Sequence, residues 1–303
     1  MSLVALFHAA GALSIDRFPP LASALHAVGT VCLGAGIYLA AQIFNLQEHW
    51  PSGVLLWAIG ACVAWALLRD WPQAALAALL VPAWLGAEWM EATRISRGGE
   101  KILWEGLLLL AICYLSARVP GRDTAIRRAL AWIGGLAIIP FAALVALEPS
   151  GSASQRSLPP GYAAMGWAMA LLLPMLLASW LRRKAAWING LALLWVVALG
   201  ATGRRWQPPG SAGVDWESLA TYALCALGSV GLIAWGMRES RRERVNLGVA
   251  GFALTVLAFY FSTVMDKLGR SASLFGLGLL FLLGGWLIER TRRRLLAQLA
   301  EDR

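Results

Sequence analysis

Residues 21–68 read LASALHAVGTVCLGAGIYLAAQIFNLQEHWPSGVLLWAIGACVAWALL, which is two long apolar runs joined by one short polar turn. The runs, 21–42 and 51–68, each have about the 20 residues that an α-helix needs to cross the hydrocarbon core of a bilayer. Pro51 suits a first helical turn, because its missing N–H would have no partner there. The stretch therefore predicts two consecutive membrane-spanning helices.

The same pattern continues along the chain of 303 residues. We predict ten main spans, at 21–42, 51–68, 71–90, 102–117, 129–147, 161–181, 185–202, 217–237, 245–265 and 273–289. Residues 1–15 form an eleventh candidate, which we interpret as a short or tilted helix. The predicted fold class is thus all-α, a polytopic transmembrane helix bundle of about ten to eleven spans. We expect one integral-membrane domain over residues 1–303 and no soluble domain.

Composition agrees with this interpretation. The chain is 59% hydrophobic and only 14% charged, whereas a soluble domain carries about 25% charged residues. The net charge of +9 and the pI of about 10.0 are also properties of nucleic-acid-binding proteins. However, the 26 Lys and Arg residues lie between the apolar runs instead of gathering in one segment. We therefore expect a lipid bilayer as the surroundings and no nucleic acid as a partner.

The distribution of basic residues predicts the orientation. One set of alternating connections, which includes Arg182–Lys184, Arg238–Arg244 and the C-terminus, holds 18 of the 26 Lys and Arg residues. The other set holds eight. Connections rich in Lys and Arg stay in the cytoplasm, so we predict a cytoplasmic C-terminus.

Few residues suggest metal or catalytic chemistry. The four cysteines lie inside apolar runs without a CxxC pair, which favours small buried side chains and no disulfide. His8, His26 and His49 are too few for a His-rich metal cluster, and we interpret His26 as a hydrogen-bonded packing residue. No GxGxxG, P-loop, HExxH or GxSxG motif occurs. We expect no catalytic residue, no metal and no cofactor, and an enzyme is the least favoured class.

The most distinctive polar residues surround the turn between the first two spans, where Gln42, Asn45, Glu48 and His49 cluster at one predicted outer edge. One interpretation is a hairpin whose Gln42 and Asn45 satisfy exposed backbone groups. The other is a polar binding site at this edge of the membrane.

Carboxylates at membrane depth are the second set of candidates, because a charge in hydrocarbon is costly and usually functional. Glu88 and Glu105 lie near the outer ends of the third and fourth spans, and Asp266 follows the apolar run of the ninth. Ion pairs at the rim are the alternative, such as Glu91 with Arg94. We predict that Glu88 and Glu105 face each other close to Gln42. The candidate ligand-binding residues are Gln42, Asn45, Glu88, Glu105 and Asp266.

The stretch AAQIFNLQEHWPSGVLLWAIGA (40–61) resembles the signature of a bacterial predicted-membrane-protein family, domain of unknown function number twenty-one fifty-seven. Members typically read AQIYxLxGxxPxGxLLWALGA. Matching positions are Ala41, Gln42, Ile43, Leu46, Pro51, Gly53, Leu55, Leu56, Trp57, Ala58 and Gly60. The chain departs from the family at Phe44-Asn45 and Glu48-His49. Residues 242–294 resemble the end of the family as well. The resemblance implies a bacterial inner-membrane location and no established activity.

Two hypotheses of function follow. The first is a permease-like protein for a small polar or cationic solute. The alternative is a non-catalytic accessory or structural subunit, whose partner would be another membrane protein or a second copy of this chain. A polar interior and a broken helix would favour the permease, and a dry interior would favour the accessory subunit.

Overall fold

The computed structural model describes residues 2–44, 49–94, 96–119, 121, 123–147, 156–202 and 216–264, with 278, 282, 285–286 and 289–290. Its elements are α1 (Ser2–Ser14), α2 (Pro19–Ile43), α3 (Pro51–Leu68), α4 (Trp71–Thr93), β1 (Ser96–Arg97), α5 (Gly99–Leu115), α6 (Ala125–Leu147), β2 (Arg156–Ser157), α7 (Pro160–Arg182), a 3₁₀ turn (Arg183–Ala186), α8 (Trp187–Ala201), α9 (Trp216–Arg238), α10 (Arg242–Phe259) and a π-helical turn (Tyr260–Val264). The two short strands pair in parallel, Ser96 with Arg156 and Arg97 with Ser157.

The predicted all-α fold class is confirmed. Among the described helices, six are long and apolar enough to cross a membrane: Pro19–Ile43, Pro51–Leu68, Ala125–Leu147, Pro160–Arg182, Ser218–Arg238 and Arg242–Ser262. The observed helices follow the predicted runs to within a few residues, and α3 has the predicted bounds. The count of ten to eleven spans stays a prediction, and the predicted span 273–289 lies almost wholly outside the described residues.

Helix boundaries have local causes. Proline stands in the first turn of α2, α3, α4 and α7, where no hydrogen bond is lost. Three short reversals contain a non-glycine residue with positive φ: Arg69 (54°), Arg183 (52°) and Ser240 (52°). Arg69 and Arg183 directly follow α3 and α7, and Ser240 lies two residues after the end of α9. The chain therefore turns back within a few residues at these three points.

The described chain falls into two compact units, Met1–Leu136 with Gly151–Asn189, and Ala137–Ser150 with Gly190–Arg303. In the first unit α1 packs on α2, α3 on α4, and α5 on α7. Helix α5 is surrounded by other helices, and its Leu108 and Leu109 are fully buried. Gly106 brings α5 close to Ala170 of α7.

In the second unit α9 packs on α10. Gly248 of α10 lies directly against Ile233 and the carbonyl oxygen of Ser229, so the two helix backbones approach closely where no side chain intervenes. The π-helical turn Tyr260–Val264 follows α10 without a break. This unit therefore contains a tightly packed helical hairpin.

The outer surface of the helices is apolar. Leu56, Leu67, Leu136 and Trp180 are examples of large hydrophobic side chains that are mostly exposed. A soluble protein rarely exposes so many large apolar side chains, whereas lipid chains cover them at no cost. This surface and the six long apolar helices support a membrane location.

Candidate functional site

The most distinctive polar contact joins α1 to α2. Nδ1 of His8 and Nδ1 of His26 lie 2.9 Å apart, and the two ring centroids are 5.2 Å apart at an interplanar angle of 31°. Helices α1 and α2 form an antiparallel hairpin, and each histidine lies about two turns, roughly 10 Å, from its reversal. His26 is buried, and His8 is partly buried. The two imidazole rings are thus joined by a hydrogen bond inside the α1–α2 hairpin.

Two glycines hold the imidazole rings in place. A Cβ added at Gly11 would lie 2.8 Å from the His26 ring, and one added at Gly29 would lie 2.9 Å from the His8 ring. Each ring therefore rests on the glycine of the opposite helix. Any larger residue at either glycine would push a ring out of the pair.

One helical turn further along α2, Thr30 bonds to α4. Its hydroxyl lies 2.9 Å from Oε1 of Gln73 and 3.2 Å from the His26 carbonyl oxygen, and its own carbonyl oxygen accepts from Trp57 Nε1 at 2.8 Å. Gln73 is 0% exposed, and its Nε2 has no hydrogen-bond partner. Exchanging the two amide atoms would only transfer that deficit to the oxygen.

Ser23 continues the same polar side of α2 toward its start. Its hydroxyl donates to Oδ2 of Asp70 at 3.0 Å. Because Ser23, His26 and Thr30 are spaced by three and four residues, they lie on one side of the helix. We name His8, Ser23, His26, Thr30, Asp70 and Gln73 the polar layer; it joins α1, α2 and the start of α4.

The predicted outer edge contains a second polar group. Nε2 of His49 lies 3.0 and 3.1 Å from the two carboxylate oxygens of Glu88, and Trp84 Nε1 donates to Oε1 of Glu88 at 3.2 Å. His49 and Glu88 are both partly open to the surroundings. The predicted rim pair of Glu91 with Arg94 is present at 3.7 Å.

Glu105 is more deeply buried among the helices than a residue at the rim. Its side chain is only 2% exposed, and Nζ of Lys101, one turn earlier on α5, lies 3.9 Å from Oε1. Lys101 itself is 45% exposed. The carboxylate is therefore held inside the helices, with a lysine that reaches it from the exposed side.

Of the other three predicted site residues, the structure describes one. Gln42 is exposed in the last turn of α2, and Asn45 and Asp266 lie outside the described residues. Gly86 packs on Leu103, and Trp89 Nε1 donates to the Gly99 carbonyl oxygen at 2.6 Å.

These α4–α5 contacts fix how the two helices are aligned. Along the helix axes, Glu88 and Glu105 are therefore offset by about one helical turn. That the two carboxylates face each other close to Gln42 stays a prediction. One sequence-based expectation is wrong. Glu88, Glu91, Arg94 and Arg97 recur every three residues, a spacing that predicts a helix continuing outward until Gly98-Gly99, but α4 ends at Thr93 and β1 follows.

A further buried polar cluster lies where α5 ends. Asn189 Nδ2 donates to Ser116 Oγ at 3.2 Å and lies 3.4 Å from Cys113 Sγ. The Cys113 thiol donates to the Pro174 carbonyl oxygen at 3.1 Å. These contacts tie α5, α7 and α8 together, so we assign them to packing. All four cysteines are free, as the sequence predicted.

Within the described ranges, no group of three or more His, Cys, Asp or Glu side chains could hold a metal ion. The polar layer contains only two such ligands in contact, His8 and His26.

Residues 1–74 match the model of the family described as Predicted membrane protein (DUF2157). The family resemblance seen in residues 40–61 is thus confirmed over this N-terminal part, which contains all six residues of the polar layer. The resemblance of residues 242–294 stays a prediction. Neither the curated proteins nor the solved structures contain a match to the chain.

Proposed function

We propose that this protein is a permease-like membrane protein for a small cationic or polar solute. The observation that supports it is the burial of the Glu105 carboxylate in an apolar helix. A charge withdrawn from water inside a membrane protein is costly and is usually retained for function. A carboxylate is also the side chain that selects a cation.

The neighbours of Glu105 suggest how a cation could be exchanged. The contact with Lys101 is loose at 3.9 Å, and the lysine stem leads to the exposed side. Because a lysine side chain is long and flexible, its ammonium group can swing outward while a cationic solute takes its place. Glu88, about one turn away in height and partly exposed, would then attract the solute first. Gln42, Asn45 and Asp266 remain proposed contributors at the same edge.

Location and orientation belong to the same proposal. The excess of Lys and Arg in one set of connections supports a bacterial inner-membrane protein with a cytoplasmic C-terminus. The outer edge with Glu88 and His49 would then face the periplasm, and the reversal between α1 and α2 would face the cytoplasm.

Uptake into proteoliposomes tests the function. We expect labelled methylammonium, choline or putrescine to enter faster than into empty liposomes, and Glu105→Gln to reduce the rate at least tenfold. Glu91→Gln is the matched control, because Glu91 is a rim carboxylate paired with Arg94, and it should retain wild-type uptake. Equal rates for wild type and Glu105→Gln would contradict the proposal.

The accessory-subunit alternative has a distinct outcome. A protein that carries none of the three cations and co-purifies in a fixed ratio with another membrane protein would favour it. The exposed apolar surface of the helices, for example at Leu56 and Leu67, is compatible with a membrane-protein partner as well as with lipid.

A further inference from the structure

The His8–His26 contact is a hydrogen bond aligned with both rings. The centroid separation of 5.2 Å exceeds the Nδ1–Nδ1 distance of 2.9 Å by about two ring radii, so both nitrogens lie near the line between the ring centres. In that arrangement a proton on one Nδ1 points directly at the lone pair of the other. The two imidazoles therefore share one proton between them.

A metal ion held by the same two nitrogens would give another geometry. A tetrahedral ion at about 2.0–2.1 Å from each nitrogen would place the nitrogens roughly 3.4 Å apart, with both lone pairs directed to a third point. The observed nitrogens are closer and point at each other. The geometry thus favours a proton over a metal as the bound ion.

We propose that His8 and His26 form a proton-binding site that takes up one proton as a pair and passes it between α1 and α2. Two imidazolium rings at this distance would direct two N–H groups at each other, so the pair cannot hold a second proton without breaking. The two rings alone can hold and pass the proton, whether or not the protein carries a solute.

The number of protons bound to the pair is conserved in the transfer. A proton that arrives at Nε2 of the donor ring forms a new N–H bond there. The proton on Nδ1 of that ring then crosses to Nδ1 of the other ring, so that one N–H bond breaks and another forms. The second ring releases its own Nε2 proton. One proton enters, one leaves, and no electrons are exchanged.

The charged residues of the helices around the pair lie at or near the helix ends. Three helices pack against the pair or against α2. Helix α1 is followed by Asp16 and Arg17, and α3 is followed by Arg69. Helix α4 begins directly after Asp70 and carries Glu88 and Glu91 in its second half. Of these charges, Asp70 is held on the same side of α2 as the pair, because Ser23, one turn before His26, donates a hydrogen bond to it. Asp70 would therefore stabilise the protonated pair.

Nitrogen NMR of ¹⁵N-histidine-labelled protein in nanodiscs tests the proposal. The variant His49→Gln removes the signal of the third histidine and leaves the pair unchanged. We expect a scalar coupling between Nδ1 of His8 and Nδ1 of His26 across the hydrogen bond. On acidification the pair should take up one proton, and the Nε2 signals of both rings should shift together.

Other outcomes would overturn it. If no coupling appears at any pH, or if two protons are taken up independently, the shared-proton site is wrong. If only one ring shifts while the other stays constant, the proton is bound but not passed on. The combined variant His8→Gln, His49→Gln is the reference, in which His26 is the one remaining histidine and the coupling is lost. Because the coupling is measured without transport, failure of solute uptake would leave this result intact.

Discussion

The hydroxyl of Ser23 donates a hydrogen bond of 3.0 Å to the carboxylate of Asp70, which immediately precedes α4. Asp70 occupies the N-cap position of α4 but makes no capping bond there, so its carboxylate fastens α4 to α2 instead. We expect Ser23→Ala to lower the free energy of unfolding by about 1–2 kcal/mol, because the hydroxyl that is removed donates to a charged acceptor.

Unfolding in mixed micelles of dodecyl maltoside and SDS would measure this loss. Ser52→Ala is the matched control, since Ser52 is exposed in the first turn of α3, and it should change the unfolding free energy by less than about 0.5 kcal/mol. Equal effects of the two variants would contradict a stabilising role of the Ser23–Asp70 bond.

Gly166 of α7 lies directly against the indole ring of Trp89. A methyl group there would displace the ring and with it the bond from Trp89 Nε1 to the Gly99 carbonyl oxygen. We expect Gly166→Ala to cost about 1–3 kcal/mol from overpacking, despite the better helix propensity of alanine. Gly161→Ala in the same helix, with open space around it, should not destabilise. Unfolding in mixed micelles would compare them, and a neutral Gly166→Ala would refute the close contact.

Arg244 is buried at 1% side-chain exposure, where it pairs with Glu239 and stacks 4.0 Å from the centroid of the Trp235 ring. Trp235 Nε1 also donates to Glu239 at 2.7 Å. Glu239→Gln removes the negative charge from a buried ion pair, so it should destabilise the protein by about 3–5 kcal/mol.

The matched control for the buried pair is Arg94→Ala, because Arg94 is 72% exposed and its partner Glu91 lies on the same rim. That change should cost about 0.2–1 kcal/mol at most. Raising the salt concentration should abolish the small effect and spare the large one. Thermal unfolding with and without added salt would distinguish the two pairs.

Orientation leads to a direct test by reporter fusion. A cytoplasmic reporter placed after Lys184 and another placed at Gly210 should give opposite signals, because one predicted span separates the sites. Fusions near Arg238 and at the C-terminus should agree with Lys184. Matching signals from Lys184 and Gly210 would overturn the predicted topology.

The helices could be predicted closely because each apolar run is long and is bounded by proline or by charged residues. Pro51 and Trp71 begin α3 and α4 as expected. The interior contacts were harder to predict. His26 was expected to be a bonded packing residue, but its partner His8 depends on the register of the α1–α2 hairpin, which hydropathy does not encode.

Gln73 and Glu105 illustrate the same limit. Gln73 is the third residue of α4, and nothing in its neighbours indicates that its amide turns inward toward Thr30. Glu105 was one of three carboxylates for which a rim ion pair competed with a binding role. Its burial follows from the central place of α5 among the helices, and that place is set by long-range packing instead of by local pattern.

At Arg69, the backbone conformation and insertion into the membrane favour different residues. Its φ of 54° is a conformation that glycine adopts without steric penalty, at a saving of about 1 kcal/mol. Yet Arg69 is the sole basic residue between α3 and α4, and the insertion machinery reads such charges while the chain is still being synthesised. A glycine would relax the finished hairpin and remove its threading signal. Under the predicted topology, the sequence therefore favours correct entry into the membrane over the most relaxed final backbone.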